Sequence, residues 1–208
     1  DGVNSVAFNH LRISNAGNDN DENAIDVNNA QGTLSLTNSL IQDAADDGIE
    51  IGFSSNVTLA SLVITGNEFE GQGDWPAGVF DASAGNNFAG TAVDLDVGNY
   101  ATITTADLSD LVIRNFDGRG IGVDFGLAAT GGTITGLTMV NIDISGVGTF
   151  GVVVAGDGTG SAAVNLGNST LLKVDNSPAF ASEANANAIL HLATSNTSMG
   201  VENETFLN

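Results

Sequence analysis

The 208-residue chain contains no cysteine. A disulfide scaffold, a thiolate metal site and a cysteine nucleophile are thereby excluded. Cations are nearly missing too: Arg12, Arg114, Arg119 and Lys173 stand against 25 acidic residues, for a formal net charge of −21. Binding a phosphate backbone requires clustered cations, so the composition argues against nucleic acid as a partner. Anionic lipid is disfavoured on the same ground. The longest apolar runs are a few residues, as in "GVVVAG" (151–156), so membrane insertion is not expected. The helix formers Lys, Arg, Gln and Glu are scarce, which argues against helix.

What is present is aliphatic and short. Hydrophobic residues make up 42% of the chain, enough to build a core. Asp outnumbers Glu 18 to 7, and Gly, Asn and Thr recur every few positions. These are turn residues, and short carboxylates are also good calcium ligands. A chain so acidic repels itself unless salt or divalent cations screen it. An extracellular or cell-surface setting is therefore expected.

Three short phrases alternate apolar and polar residues in a fixed order. One reads "AIDV" (24–27), "GIEI" (48–51), "AVDLDV" (92–97), "GIGV" (120–123), "GVVV" (151–154) and "AILHL" (188–192). A second follows as "TLSL" (33–36), "NVTL" (56–59), "ATIT" (101–104), "GTIT" (132–135) and "AAVNL" (162–166). The third is "LRISN" (11–15), "SLIQD" (39–43), "LVITGN" (62–67), "LVIRN" (111–115), "VNIDI" (140–144) and "LLKVDN" (171–176). The order restarts every roughly 22 to 38 residues, the interval of a solenoid with variable loops. Alternate side chains of a strand face one way, so Ile49, Ile51, Val57, Leu59, Leu62 and Ile64 are expected to point inward. Stacked turns would pair like phrases in parallel and bury an aliphatic column that no single turn could bury.

On the units "GIEIGFSSNVTLASLVITGN" (48–67) and "GIGVDF…GTITGLTMVNIDISG", the chain resembles the right-handed parallel β-helix repeat proteins, the pectin-lyase-like superfamily in the broad sense. The resemblance implies an all-β fold, a right-handed three-strand β-solenoid of about six to seven turns in a single domain over 1–208. A longer loop region is expected around 65–100. It holds Trp75 and Pro76, where Trp75 is a candidate sugar-stacking platform or a residue that packs the loop back onto the solenoid.

The family contains enzymes. Polygalacturonase-like hydrolases of this fold carry an Asp pair before a strand like "GIEI", and Asp46 and Asp47 match it. Asn23 stands where a second acid is expected, Gly118-Arg119-Gly120 where the family has Gly-His-Gly, and no Arg-x-Lys is found. Gly118 lies more than seventy residues beyond Asp47, which is expected to put it several turns away. A lyase would need a basic residue to take a proton, and Arg114 and Arg119 are the candidates. His10 and His191 are expected at corners or on the surface. The chain is accordingly expected not to be an enzyme, with a polysaccharide lyase or hydrolase as the alternative.

Calcium is the ligand the carboxylates suit better. "NDNDEN" (18–23) places Asp19 and Asp21 in a turn, Asp46 and Asp47 sit at a corner, and Asp94 and Asp96 share one outward face. Outward threonines in the second phrase (Thr33/Ser35, Asn56/Thr58, Thr102/Thr104, Thr133/Thr135, Ala163/Asn165) suggest an ice-binding ladder as a third reading. Four Asn-x-Ser/Thr sequons mark Asn56, Asn168, Asn196 and Asn203 for glycosylation. With acidity spread along the chain rather than gathered at one site, the leading expectation is structural. The chain reads as an adhesin stalk or filament segment whose partners are flanking repeats or a second copy stacked head to tail, with polysaccharide as a further candidate partner.

Overall fold

The computed structural model describes residues 4–16, 22–71, 90–116, 118–125, 131–145, 151–155, 161–167, 170–172, 190–193, 197–202 and 205–207. Its elements are β1 (Ser5–Asn9), β2 (Arg12–Ser14), β3 (Asp26–Asn28), β4 (Gly32–Thr37), β5 (Leu40–Ala44) and β6 (Ile49–Gly52). Next come β7 (Thr58–Thr65), β8 (Glu68–Gly71), β9 (Val93–Asp96), β10 (Thr102–Arg114), β11 (Ile121–Asp124) and β12 (Thr133–Ser145). The last are β13 (Val152–Ala155), β14 (Ser161–Gly167), β15 (Thr170–Leu172), β16 (Leu190–Ala193), β17 (Thr197–Glu202) and β18 (Thr205–Leu207). No helix occurs among the described residues.

Every strand pairing is parallel, and strands pair by column rather than with their sequence neighbours. The first column runs β1-β4-β7-β10-β12-β14-β17. The second joins β2, β5 and β8 to the C-terminal part of β10, and the C-terminal part of β12 to β15 and β18. The third runs β3-β6-β9-β11-β13-β16. This is the pairing a β-solenoid requires: each trio stacks on the next at about 4.8 Å, and no trio has a core of its own.

The core follows from the alternation. Leu34, Leu36, Ile41, Ile49, Ile51, Leu59, Leu62, Ile64, Val93, Leu95, Ile103, Leu108, Ile113, Ile121 and Val123 form one buried cluster between the columns. Each expected inward residue lies in or against it, with Val57 at its margin.

Left-handed residues turn the chain between the first and second columns. The register row Asn9, Thr37, Thr65, Ser109 and Val140 is followed in every case by a residue with positive φ. These are His10 (56°), Asn38 (50°), Gly66 (67°), Asp110 (54°) and Asn141 (54°). Asn and Asp tolerate this region better than most residues, and Gly enters it freely. A recurrent Asn/Asp/Gly at that spot is the backbone's requirement for a sharp corner. His10 is exposed there, as expected of a corner residue.

Two expectations are corrected. "LVITGN" does not belong with "SLIQD": Ser61–Thr65 pair with Thr33–Thr37, in the first column. Both phrases alternate alike, so periodicity could not separate them; the shared corner at Asn38 and Gly66 does. The strand that pairs with β5 is β8, inside the segment expected as loop, and its Phe69 is fully buried. The threonine ladder changes with it: Thr58, Thr102, Thr133 and Ser161 are in register, while Thr33 faces Ser61, which faces Thr105 in turn. Trp75 lies outside the described residues.

Candidate functional site

The third column carries the concentration of charge. On β6, β9 and β11 the inward residues Ile49, Ile51, Val93, Leu95, Ile121 and Val123 are fully buried. The outward positions form two rows. One reads Asp26, Glu50, Asp94, Gly122; the other reads Asn28, Gly52, Asp96, Asp124. Glu50 is thus directly opposite Asp94, and Asp96 directly opposite Asp124, on adjacent strands. Like charges so placed repel.

The corner before β6 adds Asp47, which is 9% exposed. It is held by three successive trios. Its N–H donates to Asn23 Oδ1 at 3.2 Å, and its own Oδ1 accepts from the Thr91 N–H. The Asn23 amide donates in turn to the Glu50 carboxylate. Burial pushes Asp47 up to about 7. The Thr91 hydrogen bond opposes the shift, Asp46 and Glu50 add to it, and Arg119 opposes it. Asp94 is likewise pushed up to about 7, first by burial and then by Asp47, against the pull of Arg119. Its Oδ1 is buried and has no hydrogen-bond partner. Asp96 is raised by burial and by Asp124 and Glu50.

Gly122 makes room for this arrangement. A Cβ there would lie 2.6 Å from Asp94 Oδ1 and 3.3 Å from Arg119 Nη1. Both side chains therefore cross the space above the glycine. Separation along the chain predicts that Arg119 lies several turns from Asp47. The two corners belong instead to strands separated by β9 alone. Asp47, Asp94 and Asp96, whose carboxyls burial pushes up, all belong to this column.

Of the candidate calcium ligands, the structure brings Asp46, Asp47, Asp94 and Asp96 to one column, while Asp19 and Asp21 lie outside the described residues. No three Asp, Glu, His or Cys side chains among the described residues are placed to hold a metal ion. Glu50, Asp124 and Gly122 join the site beyond the residues that the sequence marks, and Asn23 joins it at the position compared with the family's second acid. The signal for Glu50, Gly122 and Asp124 is the outward letter in "GIEI" and "GIGVDF", legible once column and register are known, whereas Asn23 joins the site through its hydrogen bonds to Asp47 and Glu50. Arg114 lies away from this row, on the second column, where it bonds Asp143 at 2.6 Å. Asn56 is exposed at a corner, and Asn168, Asn196 and Asn203 lie outside the described residues. His191 is in register with Val153 on the third column.

No protein-family model, curated protein or solved structure matches this chain.

Proposed function

We propose that the chain is a structural segment of an extracellular β-solenoid, a stalk or filament element of the pectin-lyase-like kind, right-handed and of six to seven turns. Its partner is more of the same fold, either flanking repeats or a second copy stacked head to tail. One observation carries this reading. The inward residues of the first trio, Val6, Phe8, Leu11, Ile13, Ile25 and Val27, are only partly buried. Their register partners Leu34, Leu36, Ile41 and Ile51 are 0–1% exposed. Among the described residues β1, β2 and β3 each pair on one side only. An apolar plate rimmed by three open strand edges is a template for further parallel strands, and a repeated contact of that kind is open-ended. The acidic surface suits a salt-rich exterior.

Sedimentation and electron microscopy over a concentration series test the second-copy arm. Rods that lengthen with concentration are expected, and Phe8→Asp should abolish them. Single particles at every concentration leave flanking repeats as the partner.

A second reading is favoured by the Asp47–Asp94 pair beside Arg119: a carbohydrate-active enzyme with one carboxyl protonated near neutrality and others ionised. A panel of acidic and neutral polysaccharides, read by ultraviolet absorbance and reducing ends, decides between the two. Turnover that is lost in both Asp47→Asn and Asp94→Asn would replace the structural reading.

A further inference from the structure

The acidic row has a consequence that holds whichever partner the solenoid has. Asp47 faces Asp46 and Glu50 on its own segment, Asn23 before β3, Thr91 before β9 and Arg119 before β11. Asp94 faces Glu50 across the strand pair, Asp47 at the corner, Asp96 on its own strand and Arg119 over Gly122. Asp26 lies opposite Glu50, and Asp124 opposite Asp96. Seven carboxyl groups thus crowd one column around a single guanidinium, and register prevents β6, β9 and β11 from sliding apart to relieve them. The buried, unpartnered Oδ1 of Asp94 is the most poorly served oxygen of the set. An ionised carboxylate there lacks both water and donors, whereas a carboxylic acid does not carry the same cost.

We propose that this column is a proton-operated latch: a proton held on Asp94 or Asp47 lets β6, β9 and β11 pack closely, and its loss on the alkaline side loosens them. Both groups titrate above the usual carboxylate range, at about 7. Between that range and about pH 7 the folded chain therefore binds more protons than the unfolded one. The stabilising effect is complete below the ordinary carboxylate range and is lost as pH rises through about 7. This is the reverse of the acid lability of a protein whose carboxylates are ion-paired.

The test is equilibrium unfolding at constant ionic strength, with chelator present so that the proton is the only ligand varied. For one proton, the unfolding constant of the native sequence falls about tenfold between pH 8 and pH 6. The double variant Asp47→Asn/Asp94→Asn flattens that dependence to about twofold or less. Asp107→Asn, on the exposed face of β10, keeps it. A flat native profile, or a double variant as steep as the native chain, overturns the proposal. If the double variant does not fold, carbon-13 titration of the native carboxyls replaces it. A midpoint near 7 for Asp47 or Asp94 upholds the latch, and midpoints of both below about 5 overturn it.

Discussion

Asn67 staples three segments of the corner between the first and second columns through Ser39. Its Oδ1 accepts the Ser39 N–H at 2.8 Å and its Nδ2 donates to the Leu36 carbonyl at 2.8 Å. Ser39 Oγ donates to the Thr37 carbonyl and accepts the Leu11 N–H at 3.0 Å. Asn67 is 2% exposed and Ser39 is 4% exposed. The corner's backbone groups are buried, and these two side chains pair with them.

Asn67→Ala is expected to strand a buried N–H and a buried carbonyl at once. A loss of about 3 kcal/mol follows from one to three per stranded group. Denaturant melts check it. A change below about 1 kcal/mol would mean that water replaces the amide.

The two phenylalanines Phe8 and Phe69 separate the ends of the core from its middle. Phe69 is fully buried under β5 and β10, so Phe69→Ala should cost about 3–5 kcal/mol. Phe8 is only partly buried, and Phe8→Ala in the unassociated chain should cost about 1–2 kcal/mol. Equal losses would contradict an open apolar plate at β1.

Gly122→Ala is expected to destabilise the fold by about 1–3 kcal/mol, because its Cβ would sit 2.6 Å from Asp94 Oδ1 in a column with no spare space. Gly52→Ala is the comparison. Its Cβ would meet the far end of the exposed Asn28 side chain at 2.8 Å, which can swing away. Thermal melts should rank Gly122→Ala clearly below Gly52→Ala.

The Arg114–Asp143 pair bridges β10 and β12, with Arg114 also donating to the Ile113 and Asp143 carbonyls at 2.8 Å. Its side chains are 31% and 39% exposed, so solvent screens the charge term. A double-mutant cycle with Arg114→Ala and Asp143→Ala should give a coupling of about 1 kcal/mol or less, shrinking as salt is added. A coupling of several kcal/mol that ignores salt would show that the pair acts as a buried one.

Much of the fold was legible in the sequence because parallel stacking writes one rule into every trio. Apolar residues alternate, and a Gly, Asn or Asp follows where the chain must turn. That rule identified Ile49, Ile51, Leu59, Leu62 and Ile64 as inward and set Asp94 and Asp96 on one outward face. It failed at "LVITGN" and "EFEG", where two neighbouring columns share the same alternation and only the corner residue distinguishes them. The acidic site was legible as letters but not as a place. Asp47, Asp94 and Arg119 are spread over 73 positions of chain, yet their segments are consecutive in one sheet.

The sequence by itself determined that this chain builds strands, turns sharply and carries a large net negative charge, because composition and short-range alternation are local properties. Only the tertiary structure decided which carboxylates of different strands come together and how little water reaches them. Neighbours in a solenoid are set by the length of each turn, so residues far apart in sequence, such as Glu50 and Asp94, come opposite each other when their strands stack.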